Sequence, residues 1–305
     1  MKQDRFRHTT PLFTSVTLVL LMTASVLGQG LVSAPFPASV PTTTLHFQKP
    51  DFREDFHYRF LTGSVEAIVV YPLNPRLFAY GSLPLGVSST YWETNVGKMT
   101  RMGTVLGNVA IGLGVQSELG KAIKLANSVT ILVNTTPSVQ NCSDCFNDGY
   151  RANYAGTKSD PYRGERFTQN RWQLIANSQW HWQKIPGLAV GVEVRPQWAI
   201  PDGRWGHDHF LLNGGLLVAA GSSRIQGVGE YVFYWYGAGD HPQRLRSRYR
   251  DAMGVGVRAV FDNVIPTFYY QFALDSYNKT IVNGTWGVRF DVLCSEEQSW
   301  LGAFK

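Results

Sequence analysis

"RWQLIANSQWHWQ", residues 171–183, puts Trp172, Leu174, Ala176, Ser178, Trp180 and Trp182 at alternate positions, with Gln173, Asn177, Gln179, His181 and Gln183 between them. Strict alternation belongs to a β-strand, whose successive side chains point to opposite faces; a helix would scatter the tryptophans around its circumference. A soluble sandwich turns such an apolar face to its core. A transmembrane barrel turns it to lipid and keeps the polar face inside.

Outward from this stretch, the same texture recurs in twelve segments: 43–49, 63–72, 77–90, 107–118, 123–135, 170–183, 188–199, 210–220, 225–236, 252–261, 266–275 and 285–293. Most reach the roughly 9–11 residues that a tilted strand needs to cross a bilayer, longer than the five or six usual in soluble sheets. In 188–199, Leu188, Val190, Val192, Val194 and Trp198 oppose Glu193, Arg195 and Gln197; in 285–293, Trp286, Val288, Phe290 and Val292 oppose Arg289 and Asp291. The connections alternate. "LNPR", "LGKA", "KIPG", "GSSR" and "DNVI" are short, whereas 50–62, 91–106, 136–169, 200–209, 237–251 and 276–284 are longer. All short turns then fall on one rim, and an even strand count brings both termini to that rim, as in Gram-negative outer-membrane barrels. Trp172, Trp182, Trp198, Tyr71 and Trp235 near strand ends fit interfacial aromatic girdles. The expected fold is all-β: a transmembrane antiparallel up-and-down β-barrel of about 12 strands in the cell outer membrane.

Composition agrees. Charged residues make up only 16% of the 305, aromatics 13%, and there are 30 glycines, a mixture suited to all-β structure in contact with lipid. The formal charge of +6 is mild, and no compact Lys/Arg run interleaved with stacking aromatics suggests a nucleic-acid groove, so nucleic acid is not an expected partner. Residues 1–34 read as a signal peptide: a basic start, "MKQDRFRH", an apolar core, "VTLVLLMTASVLG", then small residues. That core is shorter than a spanning helix needs. Residues 35–305 read as a single barrel domain with a long outer loop at 136–169. Rich in turn formers and lacking an amphipathic run, this loop is expected to stay outside.

"VVYPLNPRL" followed by "SLPLGVSS", then "LGNVAIGLGVQSEL" and "SVTILVNTTPS", is similar in order to the strand-turn pattern of outer-membrane barrels that act as transporters of the phenol meta-degradation type. The resemblance spans about residues 63–275. It implies passage of small organic molecules and carries over no functional residue.

The chemistry-bearing residues are those on the wet faces. Glu193, Arg195, Glu230, Arg258, Gln271, Asp275, Arg289 and Asp291 are the candidate lumen lining, with Glu66, Glu118, Lys124 and His181 beside them. Such charges either line an aqueous channel or pair across strands and fill it. Enzyme chemistry is not expected. "TQNRWQL" is similar in style to outer-membrane phospholipases, but their His-x-Ser-Asn-Gly stretch is absent, and His181 and Ser178 fall on opposite faces of one strand. His207 and His209 supply two metal ligands without a third, so no metal or cofactor is expected. Cys142 and Cys145, in the long loop of a chain bound for an oxidising compartment, are a candidate loop disulfide; Cys294 is left over. The expected function is passive passage of small molecules through an outer-membrane channel, with outer-membrane lipid, a small organic solute and the barrel-assembly machinery as partners. Either Phe290, with the tail beyond it projecting into the periplasm, or Phe304 is the terminal aromatic which that machinery would read. The alternatives are a non-transporting barrel with structural or adhesive loops, and a lipid-modifying barrel enzyme.

Overall fold

The computed structural model describes residues 40–53, 58, 61–94, 97–120, 122–136, 148–160, 163–202, 208–238 and 248–294. The signal segment 1–34, Cys142, Cys145 and His207 lie outside the described residues. Thirteen strand segments follow in order: β1 (Thr42–Phe52), β2 (Gly63–Pro72), β3 (Leu77–Thr94), β4 (Gly97–Leu106), β5 (Val109–Leu119), β6 (Ile123–Val133), β7 (Arg171–Trp182), β8 (Leu188–Pro201), β9 (His209–Gly221), β10 (Ile225–Ala238), β11 (Tyr249–Ala259), β12 (Val264–Ala273) and β13 (Val282–Leu293). Neighbours pair antiparallel, and β13 closes onto β1 from Thr42↔Leu293 to Phe52↔Val282. The early segment 43–49 is therefore the strand that seals the barrel.

Thirteen segments make twelve staves because β4 and β5 are two halves of one. The lower part of β3 pairs with β5 as far as Ser82↔Ala110, and its upper part pairs with β4 from Leu85↔Leu106. The register slips by one residue across Gly107 and Asn108, which is the geometry of a bulge. The segment 91–106, expected to be a loop, is instead the top of this hairpin, turning at Gly97 with a φ of 131°. It lies beyond the apolar belt, so no one-sided hydrophobic alternation marks it as a strand.

The faces follow the sequence. In β7, Trp180 is 59% exposed on the outside, whereas Gln173 is 1% exposed on the inside. Ile111, Leu113, Val129, Ile131, Phe268 and Trp286 continue the outward apolar belt across the other staves. At about 25 cal/mol per Å² of apolar surface, a continuous belt of this kind is untenable in water and calls for an apolar surrounding. No described helix is long and apolar enough to cross a membrane.

Candidate functional site: a stoppered lumen

The described part of the long loop, residues 148–160 and 163–169, does not stay outside. It contains helix α1 (Asp148–Ser159) and a 3-10 turn at Gly164–Phe167, both packed against the inner wall. Ala152, Ala155 and Ser159 are buried at helical spacing, forming a stripe of small side chains that lets the helix lie close to the wall. Phe167 joins Val105 and Ala152 in a small apolar cluster. A Cβ at Gly107 would sit 2.6 Å from the Arg166 carbonyl, and one at Gly156 would sit 2.7 Å from the Phe167 ring, so the approach depends on glycine at both places. The sequence reading missed the helix because its buried stripe is small rather than apolar, which leaves no hydrophobic periodicity to find.

Charges fasten the stopper to the wall. Arg166 Nη2 lies 2.7 Å from Glu66 Oε2, an ion pair whose angles fall short of a hydrogen bond, and Arg166 Nη1 lies 3.7 Å from Asp160. Arg195 Nη2 donates to Glu165 Oε1 at 2.7 Å. Burial pushes the Asp160 carboxyl up from its ordinary range, with Arg166 and Arg163 opposing that shift. All these groups are buried, where removing one partner strands the other at a cost of about 3–5 kcal/mol.

Asn108 is the hub. The bulge turns its side chain inward, where Nδ2 donates to the Glu165 and Thr168 carbonyls at 3.0 and 2.7 Å. Oδ1 accepts from the backbone N–H groups of Thr135 and Thr136, both at 3.2 Å, and from Thr136 Oγ1 at 2.9 Å. One side chain thus ties both ends of the long loop to the wall.

Seven of the eight candidate lumen residues, Glu193, Arg195, Glu230, Arg258, Gln271, Arg289 and Asp291, are buried at inward positions of their strands. They are packed rather than bathed, and all but Gln271, whose Nε2 and Oε1 meet no hydrogen-bond partner among the described residues, are paired. Arg289 Nε donates to both Asp291 carboxylate oxygens at 2.9 and 3.1 Å, Thr44 donates to the same carboxylate, and Arg258 lies within electrostatic range of Asp291, Arg289 and Glu230. Gln179 Nε2 reaches Glu193 Oε1 at 3.5 Å. Asp275, the eighth, is buried too, but it lies past the end of β12 at Ala273, at the long-loop rim, accepting from Asn278 N and Nδ2 at 2.8 and 3.0 Å. Of the neighbouring candidates, Glu66 is the partner of the stopper, whereas Lys124 and Glu118 form a solvent-exposed pair at 3.7 Å.

Ser178 points outward and accepts from Trp180 Nε1 at 2.9 Å, while His181 points inward beside Gly191. No nucleophile and base meet there. Among the described residues, no three His, Cys, Asp or Glu side chains gather to hold a metal.

Two spaces remain. Inside, a void of about 30 Å³, room for a couple of waters, lies against Arg163, Glu165, Arg166 and Arg195 on one side and Phe78, Leu132 and Ile175 on the other. Outside, a groove of about 510 Å³ runs over Leu113, Val115, Val129, Ala176, Val194 and Pro196. Ser128 and Asn177 line both spaces. The β7–β8 ladder is interrupted here, between Ile175↔Gln197 and Ser178↔Val194, where Pro196 has no N–H to donate.

A closed antiparallel barrel of twelve staves, with tight turns on one rim and an apolar exterior, defines the architectural class of the outer-membrane barrels. Among solved structures, the chain is similar to the COG4313 outer membrane channel from Pseudomonas putida F1, with 14% identity, a TM-score of 0.57, and coverage of 86% of this chain and 98% of that one. It also aligns with the NanC porin (9% identity, TM-score 0.48, covering 83% and 99%) and with the Pseudomonas putida toluene transporter TodX (9%, 0.41, covering 88% and 91%). At these identities the likeness is one of fold. No family model matches the chain, and no curated protein matches it.

Proposed function

We propose that the chain is an outer-membrane channel for passive passage of small molecules, closed at rest by the helix and 3-10 turn of its long loop. The observation that carries this reading is that the lumen is filled by a loop clasped through Asn108, Glu66 and Arg195, rather than by a core continuous with the wall. Withdrawal of a separately fastened segment leaves the twelve staves intact. The outward apolar belt supports residence in lipid. The signal-like residues 1–34 and the terminal strand bearing Phe290 suit secretion and handling by the barrel-assembly machinery. The likeness to a protein described as an outer membrane channel fits the same reading at the level of fold.

The test is extraction from outer membranes in mild detergent, a gel shift that appears only on boiling, and then liposome swelling with small polar and aromatic solutes. A folded barrel that passes no solute, with or without a loosened loop, would leave the structural or adhesive alternative standing. A second route is favoured by the interrupted β7–β8 ladder. An apolar solute partitioned into the bilayer meets the outer groove beside Ser128 and Asn177, which also line the inner void. A disulfide joining the wall across Ala176 and Pro196 should block apolar solutes while sparing polar ones.

A further inference from the structure

At the long-loop rim, away from the clasp, two cations share one tyrosine. Lys158 Nζ, from the last turn of α1, lies 4.9 Å from the Tyr277 ring centroid and 5.6 Å from that of Tyr154. The Arg250 guanidinium, from β11, lies 4.6 Å from the same Tyr277 ring and 6.0 Å from that of Tyr236. The two residues are 6% and 8% exposed. Among the described residues, neither head group has a hydrogen-bond acceptor or ion-pair partner within reach.

That arrangement is unlike the rest of the lumen, where buried cations such as Arg166, Arg195 and Arg289 are set against carboxylates. Two like charges held together on aromatic faces repel one another, and a cation–π contact only partly replaces lost hydration. Asp275 contributes at longer range but makes no ion pair with Lys158. The terminal nitrogens are not sealed: of the two head groups, only Arg250 Nε is both fully buried and without an acceptor. An anion approaching from this rim would supply what both side chains lack. The half-buried rings of Tyr154, stacked with Phe52 and Tyr58, and of Tyr236, edge-on to Tyr234, hold the two cations in place from either side.

We infer that Lys158 and Arg250, set on Tyr277, form a binding site for a small organic carboxylate, the carboxylate bridging the ammonium and guanidinium groups. This names the solute class of the proposed channel and rests on that reading for transport alone; binding stands independently of it. Burial, and then Arg250, hold the Lys158 ammonium down to about 8, with Asp275 opposing, so a bound carboxylate would raise it again by linkage.

The test is calorimetric titration of benzoate into the folded, full-length barrel in detergent micelles, with benzyl alcohol as the same ring without the charge. Saturable binding of benzoate and none of benzyl alcohol is expected. Lys158→Met and Arg250→Gln should each weaken binding by roughly tenfold or more, and Lys158→Arg should restore it to within a few-fold. Each variant is first checked for its gel shift on boiling; if Lys158→Met loses it, Lys158→Gln takes its place. Absence of saturable benzoate binding to the wild type would overturn the site. So would equal affinity for benzyl alcohol, or unchanged affinity in folded Lys158 and Arg250 variants. Failure of liposome swelling with benzoate binding intact would instead refute the channel reading alone.

Discussion

Replacing Asn108 with alanine should release the stopper while leaving the barrel whole. The substitution deletes five hydrogen bonds, two donated to the Glu165 and Thr168 carbonyls and three accepted from Thr135 and Thr136. Each is worth about 0.5–1.5 kcal/mol net, and the upper end of the sum is not reached, because water reaches the stranded groups once the loop lifts. About 3 kcal/mol is a reasonable loss of docking free energy, and at about 1.4 kcal/mol per decade it multiplies the ratio of open to closed barrels by roughly a hundred. The staves do not depend on this side chain. Asn108 sits between β4 and β5, and the flanking pairs Leu85↔Leu106 and Ser82↔Ala110 are made by backbone. Single-channel recording of purified Asn108→Ala beside wild type, both verified by their gel shift on boiling, reads the ratio directly. An open probability within a factor of two of wild type, in a folded variant, would refute the view that Asn108 clasps the loop.

Other outcomes follow from the same geometry. Glu66→Ala strands the buried Arg166 guanidinium and should loosen the loop by about 3–5 kcal/mol at most, seen as faster proteolysis of the long loop in otherwise intact barrels; Arg166→Met with Glu66→Leu should recover part of that loss. Because the folded-state pKa of Lys158, about 8, lies below its ordinary value of 10.5, the unfolded chain binds more protons between the two, so stability should rise with pH over that window. Lys158→Met should flatten this rise in urea unfolding at pH 8 and pH 10. Leu113→Arg, at an exposed position of the outward belt, should cost about 2–4 kcal/mol if the belt meets the middle of a bilayer, and far less if it does not; folding yield into liposomes against urea reads the difference.

The barrel was legible because its physics is written with period two. One-sided alternation in 171–183 and 188–199 survives as β7 and β8, and the alternation of tight and long connections survives as the two rims. What escaped is what the apolar belt does not touch. The β3–β4 hairpin tops out above it, so both its faces can be polar, and α1 packs through Ala152, Ala155 and Ser159, which carry little hydrophobic signal at any spacing. The inward charges were identified by parity alone. Parity placed Arg195 and Arg289 on the inner face, yet it says nothing of the loop that occupies the lumen between the walls, because the partner of Glu66 lies 100 residues downstream at Arg166. Lys158, Arg250 and Tyr277 come from three separate segments, and only the closed fold brings them together.

Conductance across planar bilayers of the wild-type chain, and of one in which residues 148–167 are replaced by a short Gly/Ser linker, tests the gated-channel account most directly. The account predicts rare or no steps from wild type and sustained steps from the shortened chain. Folded, membrane-inserted barrels that stay silent in both forms would contradict it.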